Sequence, residues 1–223
     1  MSERVLASTS PNHSGSTTLG SPGAVREIVP DVQTWSLFSD KRGYAFNGYA
    51  VSTEAGTVLI DPPDPVEDGW HSMDLLELFA GVWLTNRNHS RAAAAFRERY
   101  GLSVWAHEAD ADRLEAGADR TVAARSTLAG GIEIVPVPGK SPGEIAFHLP
   151  RATALIVGDL VIGVPPGELS TYPDEVIDDK AELQRSAGRL LDYDFDALLL
   201  CDGEPLLSGG KQKLLEFVER SSP

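Results

Sequence analysis

The sequence predicts an α/β chain of two β-sheets flanked by helices, and three observations lead there. Short segments rich in β-branched and aromatic residues, bounded by Gly, Asp or Pro, recur from Arg26 onward. Through the middle of the chain, strand-like runs alternate with helical patterns, which implies layers of both kinds. The second half then repeats the logic of the first, with strands leading and a strand and helix closing each half. Its 223 residues suit one globular domain with a sizeable core.

The elements follow in order. Residues 1–24 are rich in Ser, Thr, Gly and Pro, cannot bury enough surface to order themselves, and are expected to form a flexible tail that includes His13. REIVPDVQTWSLF, AFNGYAVST and GTVLIDPP then read as an antiparallel meander, with residues 54–56 as a hairpin turn. A helix is expected over Trp70–Phe79, with Leu75, Leu76 and Phe79 on one face. Val82–Thr85 reads as a buried strand and Ser90–Tyr100 as a helix. LSVWAH (102–107) is a further strand, and EADADRLEAG starts a helix that Gly117 would close. IEIVPVP (132–138), IAFHLP (145–150) and ATALIVGD (152–159) are three more strands, followed by a loop over 167–174. Glu182–Leu191 is expected to be helical, 196–203 a buried strand, and Lys211–Arg220 a final amphipathic helix.

Composition narrows the function classes. A net charge of −14 with no Lys/Arg cluster argues against nucleic acid, because phosphate binding needs a basic footprint. No apolar run approaches the ~20 residues that span a bilayer. The single cysteine, Cys201, excludes an intrachain disulfide and Cys-rich zinc patterns, and it fits a cytoplasmic setting. The expected partner is a small molecule; a homo-oligomer is compatible with the sequence, while nucleic acid and membrane are not expected.

The stretch WLTNRNHSRAAAAF (83–96) carries the most chemical information. A strand-like end runs into a polar knot of two Asn, one His, one Ser and two Arg before an alanine-rich helix. Together with VLIDPP (58–63), VWAHEAD (104–110), PVPGKSPGEIAFHL (136–149), LIVGDLVIG (155–163) and LLLCDGEPLL (198–207), this stretch makes the chain resemble the metallo-β-lactamase superfamily over about Arg26–Glu219. The resemblance implies a four-layer αβ/βα sandwich of two mixed sheets, α/β (α+β) in class, over residues 25–223. It also implies descent from hydrolytic metalloenzymes.

The family's metal motif is His-x-His-x-Asp-His after a strand ending in Leu-Thr. Carried onto this sequence, its positions fall on Asn86, Asn88, Ser90 and Arg91. The next family histidine falls on Lys140, the bridging aspartate on Asp159, and the last histidine on Asp202. Zinc takes imidazole, thiolate or carboxylate donors. Amides and hydroxyls are poor substitutes, and a guanidinium has no usable lone pair. The expectation is therefore a protein without the usual dinuclear zinc site and with no cofactor. Arg91 and Lys140 should instead face Asp159 and Asp202, and such pairs attract by about 4 kcal/mol at 4 Å and an effective dielectric near 20.

Asn86, Asn88, His89, Arg91, Lys140, Asp159 and Asp202 are the candidate ligand-binding residues, suited to an anionic or carbonyl-bearing small molecule. The alternative is a mononuclear hydrolase of an ester, lactone or thioester, with Zn, Mn or Fe on His89, Asp159 and Asp202, and Glu144 nearby. The bland reading makes the whole cluster a structural corner, with His89 turned to solvent or capping a neighbour. His71 and His148 read as surface residues, His107 as structural, and Cys201 as inert packing. Asp61 reads as a turn residue that supports its loop, and GKSPGE (139–144) lacks the order of a phosphate loop.

Overall fold

The computed structural model describes residues 24–221 apart from Glu77 and Ala124, and leaves out the side chains of Glu67 and Asp68. The proposed tail, with His13, lies outside the described residues except for Ala24. Twelve strands among the described residues form two sheets. In the first, β1 (Arg26–Val29), β2 (Val32–Ser39), β3 (Tyr44–Thr53) and β4 (Gly56–Ile60) run antiparallel in chain order. There β5 (Phe79–Trp83), β6 (Val104–His107) and β7 (Arg120–Val122) continue the sheet in parallel. The second sheet places β8 (Ser126–Thr127), β9 (Glu133–Pro136), β10 (Ile145–Leu149) and β11 (Ala154–Val157) antiparallel, with β12 (Ala197–Leu200) parallel to β11.

The four layers follow from which faces are apolar. Tyr49, Ile60 and Trp83 of the first sheet meet Ile134, Phe147, Ile156 and Leu199 of the second in a central core. The outer face of the first sheet buries Trp35, Leu59 and Val82 against α1 (Val66–Asp74) and α2 (Ala93–Tyr100), through Met73 and Phe96. The outer face of the second sheet buries Leu155 and Leu198 against α4 (Lys180–Leu190) and α5 (Gly210–Ser221), through Leu183, Leu214 and Phe217. With both faces covered, the inner strands read as continuous apolar runs, and all five residues of β10 are buried. The two-sheet sandwich expected from the sequence is the fold observed.

Three local expectations are corrected. The helix foreseen over 70–79 instead spans 66–74, and it follows a turn in which Asp64 Oδ1 accepts the Val66 N–H (2.9 Å). Phe79 is drawn into parallel pairing with Thr57, and Leu75 is left 71% exposed. Tertiary pairing overrides the local helical pattern here. The helix expected to run toward Gly117 is only one turn, α3 (Glu108–Ala111), whose start is capped by His107 accepting the Ala109 N–H (3.2 Å). Finally, His148 is not a surface residue. It is buried, with Nε2 2.9 Å from the Asp194 carbonyl and Nδ1 3.3 Å from Glu133.

At one edge the two sheets are stitched together. Asn47 N–H donates to the Cys201 carbonyl (2.8 Å), Gly203 N–H to that of Ala45 (2.9 Å) and Ile145 N–H to that of Thr85 (2.8 Å). This edge carries the carboxyl ends of the parallel strands β4, β5, β11 and β12, which is where open α/β sheets present their ligands.

Candidate functional site

Loops leaving those strand ends bring the polar residues together. After β5, Asn86 Oδ1 accepts the Asn88 N–H (2.8 Å) and the Asn86 carbonyl accepts the His89 N–H (3.2 Å). This Asn-centred turn folds His89 back under the strand. His89 is therefore not a solvent-facing helix-start residue. It is 3% exposed, with Nδ1 2.6 Å from Asp61 Oδ2 and Nε2 3.0 Å from Asp159 Oδ1. Asp61 also accepts the Thr85 N–H (2.8 Å) and hydroxyl (2.5 Å). The residue read from sequence as a supporting turn thus touches the site directly.

Burial and the neighbouring Arg91 charge push the His89 imidazole down. Asp159 and Asp61 outweigh them and raise it to about 10, so His89 is an imidazolium at neutral pH. Burial opposes ionisation of Asp159 and Asp61, but the charge and hydrogen bonds of His89 hold both carboxyls below their usual range.

Arg91 and Lys140 supply two more cations. Lys140 Nζ lies 3.3 Å from Asp159 Oδ2, on which Asn88 Nδ2 also closes at 3.4 Å. The Arg91 guanidinium pairs with Asp202 and donates to the carbonyls of Asn47 (2.9 Å) and Cys201 (3.1 Å). It also lies 4.8 Å over the Phe46 ring. Tyr172 donates its hydroxyl to the other Asp202 oxygen and packs beneath Lys140. Burial, with Asp159 and Asp202 nearby, raises the Tyr172 phenol far above its usual range, and it stays protonated. Three buried carboxylates, Asp61, Asp159 and Asp202, thus face the three cations His89, Arg91 and Lys140.

Six of the seven sequence candidates, Asn88, His89, Arg91, Lys140, Asp159 and Asp202, line one cavity of about 510 Å³. Asn86 does not. It is buried beneath the turn, where its amide reaches Thr85 Oγ1 (3.4 Å). Gly158 leaves room for it, since a Cβ there would stand 2.3 Å from Thr85 Oγ1 and 2.9 Å from Asn86 Nδ2. Ser90 turns its hydroxyl to the Ala116 N–H (3.2 Å).

Sequence reasoning missed Tyr172, because a lone Tyr in a loop carries no pattern. It also missed Asp110, which joins two loops of the site by accepting from Arg87 N (2.9 Å), Ser141 Oγ (2.5 Å) and Gly143 N (3.0 Å). Glu144 is fully buried, and neither carboxyl oxygen meets a hydrogen-bond partner among the described residues. Burial first, and then the charge of Asp159, raises its carboxyl well above the usual range. The Cys201 thiol is likewise pushed up by burial. Ligand atoms of His89, Asp159 and Asp202 lie within 4.8 Å of one another, and so do those of Asp61, His89 and Cys201.

Comparison with known proteins places this arrangement in a family. Hydroxyacylglutathione hydrolase of Ruegeria pomeroyi is 34% identical over 160 residues, 66% of this chain and 58% of that protein. The enzyme of the same name from Jannaschia sp. is 33% identical over 150 residues, 63% of this chain and 55% of that one. The chain thus spans a little over half the length of these curated relatives. Among solved structures, the metallo-β-lactamase from Pontibacter korlensis superposes with a TM-score of 0.73 at 20% identity, covering 89% of this chain and 98% of that one. A protein crystallised in a di-iron-bound form gives 0.64 at 23% identity, over 80% and 98%. The family model described as the metallo-beta-lactamase superfamily matches residues 26–221, nearly the whole described chain, and the protein belongs to that superfamily.

Proposed function

We propose that this chain is a small-molecule-binding member of the superfamily, with side chains in place of the usual dinuclear zinc site, and that its ligand carries a carbonyl group of ester or thioester type. The observation that carries this reading is the charge balance at the cavity floor. His89, Arg91 and Lys140 already neutralise Asp61, Asp159 and Asp202 through direct contacts. The donor set does not fit two zinc ions. Asn86, Asn88 and Ser90 are poor ligands, and Arg91 has no lone pair to offer. A divalent ion would also meet two buried cations, one of which cannot shed its proton.

A neutral floor suits a dipolar group better than a charged one. Lys140 Nζ meets Asp159 as an ion pair at 3.3 Å, and Asn88 holds its amide toward the same carboxylate at 3.4 Å. Both have donors to spare for a carbonyl oxygen, and the burial of Lys140 strengthens such a bond. The likeness to enzymes named hydroxyacylglutathione hydrolase supports a thioester or ester as the carbonyl compound.

A second reading is favoured by one observation, the three donor atoms of His89, Asp159 and Asp202 within 4.8 Å of one another. A single Zn, Mn or Fe ion there would require Arg91 and Lys140 to release their carboxylates. Elemental analysis of protein purified without a metal-binding tag separates the two. Little or no bound metal, persisting after incubation with zinc and dialysis, is the expected result. About one ion per chain, lost in His89→Ala, would replace the first reading with the second.

A further inference from the structure

The floor of the cavity is charge-balanced, but its mouth is not. Arg42, on the turn between β2 and β3, and Arg113, just beyond α3, line the same cavity from separate parts of the first sheet's layer. Neither guanidinium has a hydrogen-bond or ion-pair partner among the described residues. Arg87, also in the lining, is held by both oxygens of Asp178 at 2.8 Å. The acid that remains at the mouth is Glu115, which is exposed. The mouth therefore carries an excess of positive charge on a chain whose net charge is −14.

We propose that Arg42 and Arg113 form an anion-recognising rim, and that the ligand joins a neutral carbonyl, seated on the floor, to a carboxylate or phosphate held at the mouth. The carbonyl half rests on the function proposed above; the anionic half rests on the rim alone. A guanidinium presents a planar fork of donors that matches either oxyanion. A basic mouth on an acidic protein also concentrates field lines, drawing an anion toward the cavity and away from the rest of the surface. A cavity of about 510 Å³ has room for both ends of a small metabolite-sized molecule.

Two pairs of probes test the rim, each a charged compound with its uncharged twin. Monomethyl succinate is paired with dimethyl succinate, and dihydroxyacetone phosphate with dihydroxyacetone. Each is titrated by NMR into the wild-type protein, the Arg42→Gln/Arg113→Gln double variant and Lys140→Met. At low salt, at least one charged probe is expected to bind wild type roughly tenfold tighter than its twin, the scale of a charge-assisted contact. That advantage should largely vanish in the double variant, and in wild type at about 0.5 M salt. Both Arg side chains are without a hydrogen-bond or ion-pair partner among the described residues, so the double variant should keep the wild-type melting temperature. Whichever charged probe shows the larger advantage identifies carboxylate or phosphate as the anion.

An advantage that survives in the double variant overturns the rim, as does the absence of any advantage in wild type. Failure of the floor reading looks different: Lys140→Met, still folded, would leave both twins bound as tightly as in wild type. Binding of no probe to wild type would overturn both.

Discussion

The Lys140 ammonium stands 3.3 Å from Asp159 Oδ2, where the loop after β9 meets the loop after β11. Both side chains are almost fully buried, at 6% and 3% exposed, so neither charge can fall back on water. Removing one partner of a buried pair strands the other, which costs about 3–5 kcal/mol. Asp159 keeps its bond to His89, so Lys140→Met should destabilise by about 3 kcal/mol, at the low end of that range. Urea denaturation at pH 7 measures it. An unchanged midpoint would mean that the pair contributes nothing.

Arg91 and Asp202 should be more costly to separate, because Arg91 also serves the Asn47 and Cys201 carbonyls. Arg91→Met is expected to lose about 4 kcal/mol, and Arg91→Lys to recover little of it, since an ammonium lacks the fork of donors. In a double-mutant cycle with Asp202→Asn, the coupling should reach about 2 kcal/mol. Strict additivity would show that the contact carries no energy of its own.

The charge on His89 makes a pH prediction with a definite sign. Its folded value, about 10, lies above the ordinary value near 6.5. Its contribution to stability is therefore full below about pH 6.5, shrinks as pH rises, and is gone above about 10. Asp159 works in the opposite sense. Its carboxyl is held low, so its contribution is present above about pH 3.9 and is lost as pH falls through the folded value. From these two groups, stability should be greatest between about pH 4 and 6.5. Carbon-detected NMR of the His89 ring tests the cause directly. The ring should keep the imidazolium shift through pH 8, and a midpoint near 6.5 would refute the assigned charge.

Glu144 predicts a gain. Its carboxyl is raised by burial and by the charge of Asp159, so the native state holds its proton to a higher pH than the unfolded chain does. Its contribution is therefore fully favourable only below about pH 4.5 and turns against folding as pH rises. Glu144→Gln keeps the shape without that titration. It should raise the denaturation midpoint at pH 7–8 and match wild type near pH 4. A loss at pH 7 would show instead that the ionised carboxylate has a role in the site.

The sandwich was legible because each sheet is covered on both faces, which writes its strands as apolar runs such as ALIV and ALLL. Boundaries were less legible where pairing decides them. Phe79 fits a helical stripe as well as a strand, and only its partner Thr57 settles the matter. At the site, loop positions could be aligned to a motif, and this identified Arg91, Lys140, Asp159 and Asp202. The direction of a side chain could not be read that way. His89 and Asp61 come together because an Asn-centred turn reverses one loop beneath another strand's end, a contact across 28 positions that no spacing rule encodes. Tyr172 arrives from a segment without regular structure of its own.

The reach of Arg91 across both sheets also bears on any attempt to rebuild this corner. One guanidinium satisfies carbonyls that leave β3 and follow β12, and it pairs with a carboxylate beside them. Grafting an imidazole at that position would remove the Arg91 donors from the Asn47 carbonyl and one Asp202 oxygen at once, and leave the Cys201 carbonyl with only the Asn47 N–H, before any new ligand was gained. Histidines introduced one at a time should therefore pass through poorly folded intermediates. A protein engineer would need to change positions 91 and 202 together, and supply a replacement donor for Asn47 and Cys201 in the same step.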